Sequence, residues 1–188
     1  MIKTVLKHIY CKLKDDKLIP YTLKHELVAQ IPSLKKKYLK FENYVDQTLN
    51  DIFSEEELAG SIVQVAEYFE SSIIRNNGDK TFTVEALPVR SQMSPCYAIE
   101  IFDANGDGYV DVLLGGNLRK TKPEAGHYDG KLGTVQLGGA DGQFTVLNHN
   151  ESGLKIPGDV RDFQQIVWKN QSLLLVGNNS APLQIFTW

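Results

Sequence analysis

The hydrophobic pattern of the chain changes its period at Gly60. Beyond that residue apolar and polar positions alternate in short runs, which is typical of half-buried β-strands. Turn-forming sequences such as NNGD (76–79), NGDG (105–108) and GGADG (138–142) separate these runs. The pattern predicts nine strands, at 62–74, 81–86, 97–102, 110–115, 133–137, 143–148, 164–168, 172–177 and 183–187. Residues 2–13 can supply one more strand.

Residues 22–60 follow a helical period instead. Apolar residues recur at helix spacing on both sides of Pro32, which stops the first helix. Ser54 followed by Glu57 predicts a capping box for a short last helix that ends at Gly60. Such short, interrupted helices indicate an insertion that packs against another part of the fold.

The β-rich part contains weak internal repetition. NNGDKTFTVEAL (76–87) and GGADGQFTVLNH (138–149) share a turn, an aspartate and the sequence Phe-Thr-Val. A third unit, at 163–186, repeats the rhythm of strand and turn without the Phe-led motif. A repeat of about 60 residues with four short strands fits propeller blades better than a sandwich.

We therefore predict a mainly β fold, a partial β-propeller of about three antiparallel blades with a short helical insertion near the N-terminus. Because a closed ring needs at least about four blades, this arrangement leaves strand edges exposed, and exposed edges promote association. Either the helical segment covers one edge, or two chains associate, or the chain closes in another way. The predicted divisions of this single domain are the first strand or strands of the first blade at 1–21, the helical insertion at 22–60, the rest of the first blade at 61–96, a calcium-loop blade at 97–150 and a last blade at 151–188.

Composition and charge narrow the classes of function. The chain has 188 residues, of which 42% are apolar, so it should fold around a core. It has no run of 18 apolar residues, so we expect no membrane span, and its lysine-rich start is not that of a signal peptide. Residues 54–188 hold ten basic against seventeen acidic residues, which favours a cation site and disfavours a nucleic-acid partner. Whether Cys11 and Cys96 pair stays open.

The sequence FDANGDGYVDVLLGG (102–116) carries the strongest chemical signal. Oxygen-bearing side chains recur at alternate positions, and two glycines permit a tight turn around an ion. Clustered carboxylates repel one another, and a divalent cation relieves that repulsion. The five predicted ligands are Asp103, Asn105, Asp107, the backbone carbonyl of Tyr109, and Asp111.

The loop sequence has two other possible interpretations. An EF-hand needs a bidentate glutamate at the twelfth position and helices on both sides, whereas the twelfth position is Leu114 and both flanks are predicted strands. A hairpin turn without metal is the simpler alternative, since Asp and Asn are common turn residues. We favour a structural Ca²⁺ that ties two strands together, and Ca²⁺ over Mg²⁺ because Mg²⁺ prefers to keep its waters.

The stretch YAIEIFDANGDGYVDVLLGGN (97–117) resembles the FG-GAP/VCBS repeat, the calcium-binding blade motif of integrin-like β-propellers. In that repeat a D-x-[DN]-x-D-G-x-x-D loop leads into a strand, and the five predicted ligands match its positions one by one. Residues 60–188 also resemble the C-terminal region of large bacterial, Bacteroidetes-type surface or exported FG-GAP proteins. The motifs that carry this likeness are KPEAGHYDGKLGTVQLGGADGQF (122–144), GDVRD (158–162) and LLLVGNNSAPLQIF (173–186).

The resemblance implies a non-catalytic, calcium-stabilised interaction module of a cell-surface or exported protein. It implies an extracytoplasmic location, in the periplasm, at the outer membrane or on the cell surface, and a role in adhesion, as a scaffold or in protein interaction. The alternatives are a glycan- or polysaccharide-binding module and, less favoured, an enzyme built on the same frame. The partner is a protein or a glycan, and we expect a homodimer through exposed blade edges as one outcome.

Overall fold

The computed structural model describes residues 7–187. The chain divides into two compact units, Met1–Val65 and Ala66–Trp188, each with its own core. Strands make up 34% of it and helices 15%, which confirms a mainly β fold. In the described residues the strands form four separate antiparallel sheets, none of which closes on itself. The propeller, the single domain and its blade divisions stay predictions.

The described residues of the first unit, 7–65, form one hairpin and four short helices. The hairpin turn has positive φ at Asp15 and Asp16, as a two-residue turn between twisted strands requires. Five buried residues form the core, namely Leu27, Leu34, Tyr38, Ile52 and Phe53. The elements are β1 (Cys11–Lys14), β2 (Lys17–Pro20), α1 (Lys24–Gln30), α2 (Leu34–Lys37), α3 (Leu49–Ile52) and α4 (Glu55–Leu58).

The short helices between 22 and 60 are present as predicted. The capping box of α4 is confirmed, because the Glu57 N–H donates to Ser54 Oγ at 3.2 Å and the Ser54 N–H donates to Glu57 Oε2 at 2.9 Å. Of the strand predicted at 2–13, residues 2–6 lie outside the described residues, and Cys11–Lys14 is a strand.

The described residues of the second unit, 66–187, form two meanders and one hairpin. The four strands between Cys96 and Val146 form one sheet in chain order, and the three strands between Val160 and Thr187 form another. A 3-10 helix, Val89–Gln92, follows the hairpin. The elements are β3 (Ser72–Asn76), β4 (Phe82–Ala86), β5 (Cys96–Phe102), β6 (Asp111–Gly116), β7 (Thr134–Gly138), β8 (Phe144–Val146), α5 (His149–Ser152), β9 (Val160–Trp168), β10 (Gln171–Asn178) and β11 (Gln184–Thr187).

One predicted strand is largely wrong. The pattern predicts a strand at 62–74, but pairing begins only at Ser72, and no backbone hydrogen bond joins residues 62–68 to the described part of the chain. Ile62, Val63 and Phe69 are exposed there. Alternating apolar and polar residues identify a segment that is able to form a strand. A strand forms only beside a neighbouring strand with which it can pair, and none of the described residues pairs with this segment.

The core of the second unit lies between its two meanders. Ala98, Leu113 and Val135 of the four-stranded sheet are buried against a complementary set from the other elements, namely Ile156, Val160, Phe163, Leu174 and Val176. Strand β9 packs across β5 and β6. The two meanders lie close together at Gly115, where an added Cβ would stand 2.5 Å from Phe163 Cζ. The sheets can meet at this point because β6 has no side chain there.

We expect Gly115→Ala to lower the free energy of unfolding by about 1–3 kcal/mol, because the methyl group overpacks a core that cannot give way. Gly177→Ala is the matched control, since its Cβ would meet Asp162 Cβ at an ordinary 3.6 Å. Urea unfolding followed by circular dichroism measures both. Equal stability of the two variants would show that the sheets are not in close contact at Gly115.

Candidate metal site

The predicted metal loop joins β5 to β6 at one end of the four-stranded sheet. Phe102 and Asp111 face each other as the last pair of the two strands, so the loop closes directly on the sheet. Gly106 and Gly108 have φ of 77° and 86°, the left-handed conformation that the sequence predicts for the turn. The sequence prediction of a loop between two strands is therefore confirmed.

Asp103 organises the backbone of this loop. Its Oδ1 accepts the N–H groups of Gly106 at 2.8 Å and Asp107 at 3.1 Å. Its Oδ2 accepts the N–H of Gly108 at 2.9 Å. These three hydrogen bonds curl the backbone around one carboxylate, which is how a short polar side chain stabilises a tight turn.

The next three predicted ligands are linked to one another. Asn105 Oδ1 accepts the Asp107 N–H at 3.0 Å, and the Asn105 amide donates to Asp107 Oδ2 at 2.8 Å. The Tyr109 N–H donates to Asp107 Oδ1 at 2.8 Å. The side chains of Asn105 and Asp107 are exposed, so a cation from solvent can compete for their oxygens.

Asp111 differs from the other ligands because its carboxylate is fully buried. Its Oδ2 accepts the Ala104 N–H at 2.7 Å, and its Oδ1 accepts the Gly138 N–H at 2.9 Å. One side chain thus ties the start of the loop to the end of β7. A buried carboxylate is costly unless its charge is compensated, and here backbone N–H dipoles supply the compensation.

The oxygen-bearing side chains of the loop suit a hard cation, but their hydrogen bonds to the backbone already stabilise the turn. Carboxylates offer about four lone-pair directions each, so the oxygens that accept N–H groups keep capacity for a metal. Among residues 7–187, however, no three or more His, Cys, Asp or Glu side chains converge as a metal-ligand group. The structure thus brings the four side chains into one loop, and their role as metal ligands, like that of the Tyr109 carbonyl, stays a prediction.

Two other turns of the second unit provide an internal comparison. Asp79 Oδ1 accepts the Thr81 N–H at 3.0 Å, and Asp141 Oδ1 accepts the Gln143 N–H at 2.9 Å. Hydrogen bonds from Thr81 also lower the pKa of Asp79 below its usual value. These turns share the local chemistry of the predicted metal loop, but the buried aspartate from the following strand distinguishes the 103–111 loop.

A second polar centre, which no sequence pattern predicted, lies at Asn117, just beyond β6. Its buried amide accepts hydrogen bonds from Ser94 Oγ at 2.6 Å and the Lys131 N–H at 3.0 Å. It donates to the carbonyl oxygens of Lys131 at 2.7 Å and Gly158 at 2.9 Å. Its φ of 81° is unusual for a residue other than glycine, and the only available signal was an asparagine directly after two glycines.

Arg161 has the structural role that its position between two aspartates suggests. Its Nη1 donates to the Asn117 carbonyl oxygen at 3.0 Å, and its Nη2 lies 3.9 Å from Asp159 Oδ2. Its guanidinium also stacks 4.2 Å from the centre of the Tyr97 ring. These contacts hold the start of β9 against the four-stranded sheet.

This chain matches no protein-family model, no curated protein and no solved structure. The resemblance to FG-GAP/VCBS repeats therefore rests on the residues of 97–117 and stays a prediction. In the part of the chain that the structure describes, no helix is long and apolar enough to cross a membrane.

We expect Asp111→Asn, measured in the presence of a chelator, to lower the free energy of unfolding by about 1–3 kcal/mol. The asparagine amide can accept one of the two backbone N–H groups but must turn its own N–H₂ toward the other. Chemical unfolding measures the change. Asp141→Asn is the control and should cost less, because Asp141 is exposed. Equal losses would mean that Asp111 does not tie the loop to β7.

Proposed function

We propose that this chain is a non-catalytic β-sheet module stabilised by Ca²⁺ at the 103–111 loop, with a role in protein interaction, adhesion or scaffolding. The observation that carries the proposal is the buried Asp111 carboxylate, which joins the loop to β7 beside three further oxygen-bearing side chains. In this proposal Ca²⁺ neutralises the loop carboxylates. Asp103, Asn105, Asp107, Asp111 and the Tyr109 carbonyl would hold it.

An interaction role is supported by the apolar side chains that strands and loops expose. Ile99 and Ile101 of β5 are exposed, and β5 is itself an edge strand. Exposed apolar side chains along an open edge favour pairing with another strand. We propose a homodimer through this edge, with a protein partner as the alternative occupant.

A glycan-binding role is the second candidate, and it is less well supported. Trp168 is 54% exposed, as a sugar-stacking ring would be. However, Lys169 Nζ lies 4.2 Å from the centre of that ring, so a cation already covers one of its faces. An extracytoplasmic location is proposed on the family resemblance alone.

We expect Ca²⁺ to raise the melting temperature of the wild-type chain above its value in chelator, since an ion that binds only the folded state stabilises it. Asp107→Ala should lose this calcium-dependent increase, whatever its effect on the baseline. Differential scanning fluorimetry measures both, with Mg²⁺ as the competing ion and a smaller expected effect.

Asp141→Ala is the matched control, because Asp141 makes the same kind of turn contact in another loop of the same unit. It should keep the full response to calcium. If calcium shifts no variant, or shifts all three equally, the 103–111 loop is an ordinary turn and the calcium proposal fails.

We expect the wild-type chain to form a dimer of about twice its 21.1 kDa mass, and Ile101→Lys to be monomeric, because a charge on the edge strand opposes pairing. Light scattering after size-exclusion chromatography measures the mass. Val89→Lys is the control, since Val89 is exposed on the 3-10 helix and lies on no strand edge. A wild-type monomer at every concentration would refute the edge-paired dimer.

A further inference from the structure

Lys131 is a buried lysine without a counter-charge. The residue is 2% exposed, and its Nζ has no hydrogen-bond partner among the described residues. Burial lowers the pKa of its ammonium group, and the neighbouring Cys96 raises it to a smaller extent. Lysine is almost never fully buried unless it is paired, so this side chain requires a specific explanation.

The surrounding structure holds Lys131 in this position. The Asn117 amide binds both its N–H and its carbonyl oxygen, as described above. The next residue, Leu132, accepts the N–H of Ile156, a core residue. Because the backbone is fixed from two sides, the side chain cannot be carried to the surface by a small movement of the loop. An isolated buried ammonium costs several kcal/mol, and an anion would offset that cost.

Lys131 lines a cavity of about 370 Å³ within the second unit. This volume is at the lower end of the range for small-molecule sites. Arg90 and His149 contribute further basic groups, and none of the described residues that line the cavity is acidic. The walls are otherwise small or apolar, and they are formed by Met93, Gly130, Leu132, Gly133, Thr134, Val146 and Leu147.

One carboxylate lies near the cavity without lining it. Glu151 borders an adjacent depression together with Arg90 and His149. Its Oε2 accepts the Asn148 N–H at 2.6 Å, so it caps α5. The side chain is exposed, and it moderates the charge of Arg90 while leaving Lys131 unpaired.

We propose that this cavity binds the oxyanion group of a small molecule, a phosphate or a carboxylate, which pairs with the Lys131 ammonium. Arg90 supplies a second cationic group at the wall, and Thr134 supplies a hydroxyl. Nζ has almost no surface accessible to water from any side, so the anion reaches it only when a wall of the cavity moves. Met93 is 59% exposed and has a flexible, unbranched side chain, so it can move aside as the anion enters. The site is separate from the 103–111 loop and does not depend on calcium.

The test compares the melting temperature of the full chain in sodium phosphate with that in sodium chloride of equal ionic strength. Phosphate should raise the melting temperature of the wild type in a concentration-dependent way. Lys131→Met, which keeps the length of the side chain but removes its charge, should lose this specific increase and should be at least as stable in chloride. Lys155→Met is the matched control, because it removes an exposed lysine of the same unit and should respond as the wild type does.

A general salt effect of phosphate would raise all three melting temperatures equally, and that result would overturn the proposal. If Lys131→Met does not fold, line broadening in ³¹P NMR spectra of inorganic phosphate decides. The wild type should broaden the signal and Arg90→Gln should broaden it less, whereas no broadening by the wild type would overturn the proposal. Acetate in place of phosphate identifies the preferred group: a response to either anion supports the site, and a response to neither refutes it.

Discussion

The close contact of β6 with β9 is the constraint on which the rest of the second unit depends. Without a side chain at Gly115, the Phe163 ring can lie directly on β6 and the two meanders can share one core. The positions of both ends of β6 follow from this contact. Its first residue, Asp111, closes the 103–111 loop, and Asn117, which follows its last residue, lies beside the start of β9.

Each end of β6 therefore carries a buried polar group with a different role. At the start, the Asp111 carboxylate accepts backbone N–H groups from the 103–111 loop and from the end of β7, and its negative charge would favour a nearby cation. At the far end, the Asn117 amide is neutral and positions the backbone of Lys131, which lines the cavity that we propose binds an anion. The same strand thus supports two candidate sites of opposite sign, separated by its apolar middle, in which Leu113 is fully buried.

Patterns of neighbouring residues in the sequence predicted the features that depend on neighbouring residues, namely strands and turns. Alternation found most strands of the second unit, and the spacing of oxygen-bearing residues from Asp103 to Asp111 found the loop and its glycine conformations. Burial was not predictable, because Asp111 and Lys131 have polar side chains whose environment is set by residues distant in sequence. Ser33 shows the same limit at a helix start: its type suits a cap, yet its side chain caps nothing in α2, since Ser33 itself has helical φ and ψ.

The unpaired segment at 62–68 is the part of the chain that we expect to be most susceptible to proteolysis. Proteases cleave exposed segments whose backbone is free of hydrogen bonds most readily, and residues 62–68 are exposed and make no backbone hydrogen bond to the described part of the chain. The segment also includes the boundary between the two compact units, whose cores share no residue. A single cut there would leave both sets of core residues intact, because neither core has a residue in the segment.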